Sequence, residues 1–348
     1  MAQFQGIVGI IANPASGKDV RRLVARASVF DNQEKQAIVG RLLKGAAACG
    51  ATRIVYLDDP HGIVEGAIAE ANDDLSCTPV AATRTSSALD TQSAARAMRE
   101  IGCAVVVTLG GDGTNRAVAQ SWPDVPLLPI STGTNNVFPQ FVEATIAGAA
   151  AGLIASGQIK FGKVARQRKL IRVTIEDEDD DLALIDAVLT RERFVGSRAL
   201  LAPELLSCAM LTCANPAAVG MTAIGGLVAP LGQGRNAGLW LDLGPGGIVV
   251  NAPIAPGYYQ PIGIRRHRRI KFSETITLEG PGILAFDGER ERVLRPGQKA
   301  WLRIDRGGPR VVDVSATLKR AARKGLFALP YVANTTVPTE TTNDSPED

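Results

Sequence analysis

Five short apolar runs punctuate the start of the chain: GIVGIIA (6–12), RIVYLDD (53–59), PVAATR (79–84), AVVVTLG (104–110) and VPLLPIS (125–131). Between them lie stretches with apolar residues at helical spacing: EKQAIVGRLLKGAAACG (34–50), GIVEGAIAEAN (62–72) and LDTQSAARAMREIG (89–102). The first of these ends on Gly50, a glycine C-cap signal. Such alternation leaves few options. Parallel strands need helical crossovers, the crossovers cover the faces, and a doubly wound parallel sheet results. Ligands of such sheets bind outside the carboxyl ends of the strands. Four of the runs lead there into loops of small, hydroxyl and amide residues. These are NPASGK after the first, TRTSS (83–87) after the third, GGDGT after the fourth and STGTNN (131–136) after the fifth. Loops of this kind bring N–H groups and hydroxyls against phosphate oxygens. One alone reads equally as a tight strand–helix turn; four on one sheet edge point to a nucleotide.

Three familiar nucleotide motifs fail their tests. ANPASGKD (12–19) has the Gly-Lys of a Walker loop, but Ala12 stands for the leading glycine and Asp19 for the magnesium-binding Ser or Thr. GQGRNA (232–237) is followed by a strand pattern, GLWLDLG, where a dinucleotide fingerprint demands a helix. GGDGTNR lacks that fingerprint's last glycine.

After FVEATIAGAAAGLIAS (141–156), which reads as a bridging helix, the text becomes short strands with Gly and Pro between them. RKLIRVTI and LALIDAVLTRERF flank an acidic tip, EDEDDD (176–181), as a hairpin with a solvated turn. AAVGMTAI, AGLWLDL, GIVVNAPI, TITLEG, GILAFDG, KAWLRID and RVVDVSA read as further strands, hence a β-sandwich. LKRAARKGLF (318–327) reads as a last helix. The expected division is an α/β nucleotide domain over 1–157, an acceptor-binding β-sandwich over 158–315, a C-terminal helix over 316–330 and a disordered tail over 331–348.

A formal net charge of +3 is too small to imply a nucleic-acid partner. Five cysteines without metal spacing, and a start that reads as a strand and not a leader, fit a cytoplasmic protein with free thiols. No apolar stretch approaches the ~20 residues of a membrane helix. RRHRR (265–269) is the dense basic cluster; it reads as a solvated strand edge or as a site for a substrate phosphate.

GGDGT after a buried strand, NPASG upstream and FDGER (286–290) near the other end resemble the superfamily that joins NAD kinases with diacylglycerol and sphingosine kinases. LPISTGTNNVFP (128–139) most resembles its ATP-NAD kinase-like branch called acetoin-catabolism protein X. The resemblance implies a Rossmann-like domain, a β-sandwich and a C-terminal segment returning to the first domain. It also implies ATP and Mg²⁺ as cofactors, a small-molecule acceptor and a homo-oligomer.

Asp112 stands out, because a carboxylate beside phosphates is repelled unless something compensates. It can take the proton of an acceptor hydroxyl, or hold Mg²⁺, or merely cap the following helix. The resemblance implies the first, with the ribose 2′-hydroxyl of NAD as acceptor. Gly110, Gly111 and Gly113 let the backbone approach the nucleotide, and Thr114 caps the helix or donates to a phosphate. The resemblance implies nucleotide contacts for Asn13, Ser16, Gly17, Thr134, Asn135 and Asn136. Thr85 belongs to the TRTSS loop. Asp287 and Glu289 match the lipid-kinase DGE, which supports metal and catalysis; a plain hairpin turn is the other reading of FDGER. Asp287 is the second candidate for Mg²⁺. The acidic NE motif of NAD kinases has no clear copy, and Asp186 stands in a similar place. Their Thr-rich substrate loop is replaced by AAVGMTAIGG (217–226). Both departures fall where the acceptor binds, so a lipid or other hydroxyl compound, or nucleotide binding without turnover, stands beside NAD kinase activity.

Overall fold

The computed structural model describes residues 6–16, 31–71, 75–133, 136–191 and 202–328, except the side chains of 290 and 291. Five parallel strands open the chain: β1 (Ile7–Ala12), β2 (Arg53–Tyr56), β3 (Ser76–Pro79), β4 (Val105–Gly110) and β5 (Pro126–Ser131). β1, β4 and β5 are buried along their whole length. They are near-continuous apolar runs because helices cover both faces. α1 (Asn32–Ala48), α2 (Ile63–Glu70) and α5 (Ala144–Ala155) share one core with one face. α3 (Ala88–Ile101) and α4 (Asp112–Ser121) pack on the other.

Two expectations shift here. The third strand is Ser76–Pro79, not 79–84, because its register against β2 ends at Pro79 opposite Tyr56. It is an exposed edge with little apolar pattern to mark it. The Ala-rich helix α5 is no bridge: it lies on α1, backbone to backbone. A Cβ on Gly45 would come within 2.1 Å of the Thr145 carbonyl oxygen, and one on Gly148 within 2.1 Å of that of Leu42. Small residues there permit the approach.

The rest of the chain forms two antiparallel sheets. β7 (Leu170–Ile175), β8 (Asp181–Ala183), β13 (Thr275–Glu279) and β16 (Lys299–Asp305) pair in the order β13-β16-β7-β8. The other six are β9 (Asp186–Thr190), β10 (Leu206–Leu211), β11 (Ala237–Ala255), β12 (Tyr258–Lys271), β14 (Gly282–Phe286) and β15 (Glu289–Leu294), in the order β12-β11-β10-β9-β14-β15. Ile171, Val173, Leu302 and Ile304 of the first meet Met210, Leu284 and Phe286 of the second in one core, the interior of the sandwich. The acidic stretch 176–180 is the turn between β7 and β8. AAVGMTAI is not a strand: α6 (Met221–Val228) starts after Gly220, whose φ of +80° turns the chain. Met221, Ile224 and Val228 recur at helical spacing and pack under β10 and β11. The basic cluster lies on β12, an edge strand, where Arg265 pairs with Asp242 and Arg268 with Glu274.

Two short strands rejoin the first sheet. β17 (Arg310–Val312) pairs parallel with β5 and antiparallel with β6 (Ala165–Gln167), giving the order β3-β2-β1-β4-β5-β17-β6. α7 (Val314–Arg323) follows, capped by Asp313, and adds Ala321 and Leu318 to the core beside α5. The returning segment thus begins at β17, and the last helix starts four residues before the expected 318. Among the described residues no helix is long and apolar enough to cross a membrane. All five cysteines are free thiols.

Candidate nucleotide site

Three strand-end loops are joined by side-chain hydrogen bonds. Asn13, just past β1, donates its Nδ2 to Thr114 Oγ1 at 2.8 Å, tying NPAS to GGDGT. Asn13 Oδ1 accepts from the Ala15 amide at 2.9 Å, so the same side chain also shapes its own loop. The Ser16 and Thr132 hydroxyls lie 2.9 Å apart, tying NPAS to STGT. Asn136 Nδ2 donates to Ser131 Oγ at 2.8 Å within the third loop. The glycines give room for this. A Cβ on Gly110 would fall 2.4 Å from Thr114 Oγ1, and one on Gly111 2.8 Å from Asn136 Oδ1.

Asp112 is the first residue of α4 and half-buried. Its carboxylate does not cap its own helix, whose N-cap, Gly111, makes no side-chain bond. It reaches across to the third loop. Both oxygens accept from the Val137 amide at 3.1 Å, and Oδ1 accepts from the Phe138 amide at 2.8 Å. Two backbone donors and the positive end of a helix therefore face this charge. That is how a carboxylate is held inside a glycine-rich strand-end loop.

The second acidic element arrives from the sandwich. Asp287 and Gly288, with φ of +51° and +85°, form the two-residue turn between β14 and β15. Positive φ at both positions is the hairpin geometry that Asp-Gly favours. The Asp287 carboxylate is buried and accepts from the amides of Leu184, Ile185 and Asp186 at 2.7–3.2 Å. Burial pushes its carboxyl up to about 6, against the pull of Arg116 and those three amides. Asp186 is buried too, and its carbonyl accepts from the Asp287 amide at 3.0 Å. Past the turn, Glu289 reaches back to the strand-end loops. A Cβ on Gly113 would lie 2.8 Å from Glu289 Oε1, so the carboxylate rests over the first turn of α4.

Arg116, one turn into α4, locks this arrangement. It is buried, donates Nε to the Leu182 carbonyl at 2.6 Å and pairs with Asp181 at 2.8 Å. Its guanidinium lies 5.0 Å from the Phe286 ring centroid. Burial works against ionising Asp181, yet Arg116, Gln120 and the Leu182 amide hold its carboxyl below the usual range.

The fourth loop stands apart. Thr85 Oγ1 and N donate to Asp90 at 2.8 and 2.7 Å, so TRTSS folds onto α3 at the end of β3, two strands from β1. Gly17, Thr134 and Asn135 lie outside the described residues. Three residues were missed by motif reasoning: Lys35, Arg116 and Asp181. Lys35 carried a signal, since it falls on the buried stripe of α1 with Ile38, Val39 and Leu42. Arg116 and Asp181 carried none, because their pairing depends on how the two halves meet.

As for magnesium, no three His, Cys, Asp or Glu among the described residues meet to hold an ion. Mg²⁺ ordinarily rests on substrate phosphates, waters and one or two carboxylates. Asp287 points into backbone amides, and Asp112 is shared with two. Glu289 is the exposed acid of the three and fits such a role.

Comparison with known proteins supports the fold. Residues 8–159 match the ATP-NAD kinase N-terminal domain, and residues 169–307 the acetoin catabolism protein X C-terminal domain. Acetoin catabolism protein X of Cupriavidus necator is 35% identical over 95% of this chain and 97% of its own length. A yeast NADH kinase solved with NADH shares the fold, with a TM-score of 0.52 at 13% identity over 96% of this chain and 90% of that one. A Bacillus anthracis diacylglycerol kinase superposes with a TM-score of 0.47 at 13% identity, over 88% and 96% of the two chains.

Proposed function

The chain belongs to the acetoin catabolism protein X family, with a first half that matches the ATP-NAD kinase N-terminal domain, and from that premise we propose that it transfers the γ-phosphoryl group of ATP to a hydroxyl of a small molecule. One observation carries the reading: Glu289 of the sandwich comes to rest over Gly113, inside the knot of loops that Asn13, Thr114, Ser16 and Thr132 tie together. Acid and phosphate loops meet without a shared sheet.

In this reading the joined loops, with Asn13, Ser16, Gly17, Gly110, Gly111, Gly113, Thr114, Thr134, Asn135 and Asn136, hold the nucleotide. The acceptor hydroxyl donates to Asp112, its oxygen attacks the γ-phosphorus, and the bond to the β-phosphate oxygen breaks as ADP leaves. Phosphoryl transfer needs positioning and charge stabilisation more than a strong base, so a carboxylate fixed by two amides suits the task. Glu289, with the substrate phosphates, would hold Mg²⁺, which would supply charge neutralisation. The default acceptor is the adenosine-ribose 2′-hydroxyl of NAD, which would give NADP, with Asp186 as the acid that would contact it.

A second reading is nucleotide binding without turnover. It is favoured by the settings of Asp112 and Asp287, whose carboxylates are both occupied with backbone amides. One assay separates the two. The protein is incubated with Mg-ATP and, in turn, NAD, NADH, lipids and small polyols, and ADP release is followed. ADP released with one acceptor, and lost in Asp112→Asn, supports the transferase. ATP binding without release for any acceptor supports the regulator, and full turnover by Asp112→Asn removes Asp112 from the chemistry.

A further inference from the structure

Lys35 is fully buried in the first turns of α1, directly beneath the NPAS loop. Its Nζ donates to the carbonyl oxygens of Asn13 at 2.9 Å, Pro14 at 3.0 Å and Ser16 at 2.7 Å, with Asn32 Oδ1 at 3.3 Å. Converging carbonyls are how proteins ordinarily hold a metal cation, and here an ammonium takes the cation's place. The loop owes it two things. Three carbonyl dipoles that repel one another are gathered to one side. A positive charge is also placed behind that loop. Asn13 joins this to the rest of the site: its carbonyl is on Lys35 while its side chain holds Thr114 and the Ala15 amide.

We propose that Lys35 is a positioning residue for the phosphate-binding loop, a built-in cation that sets the conformation of residues 13–16 and strengthens binding of polyphosphate nucleotides. The second half of this rests on the nucleotide reading above; the first does not. Lys35 touches no reacting atom, so its effect falls on nucleotide affinity and not on the chemical step.

The test uses the full chain and Lys35→Met, which keeps the length and loses the charge and donors. Without nucleotide, exchange of the Ala15 and Ser16 amides is expected to accelerate about tenfold while the β4 amides keep their protection. Mg-ATP and ADP affinities are expected to fall about tenfold, adenosine affinity to stay, and kcat to change little. In Lys35→Ala, propylammonium restores affinity and the neutral propanol does not. Unchanged exchange at residues 15 and 16 overturns the positioning role. Equal loss for adenosine and ATP overturns the charge role, as does rescue by propanol. If the wild-type protein binds no ATP, the nucleotide reading fails, and the exchange experiment still decides the loop.

Discussion

Gly113→Ala separates stability from function at this site. Gly113 sits in the first turn of α4 at an ordinary helical φ, so the backbone accepts alanine without strain. Replacing glycine by alanine in a helix gains about 0.5–1 kcal/mol, through propensity and a less flexible unfolded chain. The three atoms nearest the new Cβ all belong to the end of a flexible side chain, Glu289 Oε1 at 2.8 Å, with Cδ at 3.3 Å and Oε2 at 3.6 Å. To reach ordinary contact the carboxylate must recede by about 0.7 Å. Displacements of this size at a reacting centre cost one to two orders of magnitude, so ADP release is expected to fall about tenfold or more. Denaturant unfolding and ADP release, measured on the same preparation, should therefore move in opposite directions. A variant at least as stable as wild type, with unaltered kcat and KM for Mg-ATP, would refute the placement of Glu289 in the reaction. A loss of stability above about 1 kcal/mol would show that the Glu289 side chain cannot recede.

Other perturbations have equally definite outcomes. Asp112→Ala leaves the Val137 and Phe138 amides without their acceptor and is expected to cost about 2 kcal/mol, whereas Asp112→Asn keeps one oxygen and most of that stability; equal unfolding midpoints for the two would contradict this. Arg116→Ala leaves the buried Asp181 carboxylate to Gln120 at 2.8 Å and to Arg292 at 3.3 Å, and should cost about 2–3 kcal/mol in urea unfolding, much of it recovered by Arg116→Met with Asp181→Leu. For Asp287 the ordinary carboxyl value of 3.8 rises to about 6 on folding. Its protonated form is thus the favoured one in the folded state: its contribution is complete below about pH 4 and is lost as pH rises through 6. Asp287→Asn retains the Oδ1 acceptor and should gain on wild type by up to about 3 kcal/mol between pH 4 and 7. Parallel pH–stability profiles would refute that.

The first sheet was legible because IVGIIA and VVVTLG are buried on both faces, and burial on both faces leaves an unbroken apolar run. The edge strand β3 was misplaced for the opposite reason: SCTP carries no such mark. AAVGMTAI misled because a short apolar stretch fits period two and period 3.6 alike until its length and flanks decide. At the site, glycines, hydroxyls and acids were legible as residue types. What they touch was not. Asp112 bonding to Val137 and Phe138, or Glu289 resting on Gly113, depends on the stagger of elements far apart in the chain. Lys35 was legible in principle, as a charge on an apolar helical stripe, and its partners became apparent only with the loop in place.

The strand β17, inserted between β5 and β6, has a consequence for how the protein comes into being. β5 is synthesised early, and Gln140 bridges its outer edge at Ile130, but Pro126 and Leu127 gain their β17 partners only when the ribosome has passed Val312. That is roughly 180 residues later, a wait of some ten to forty seconds at ordinary elongation rates. The half of the molecule made first is therefore the half completed last. Throughout that interval the growing chain carries an open β edge at the start of β5, the end away from its strand-end loops, and closure by β17 records that the sandwich between them has been made.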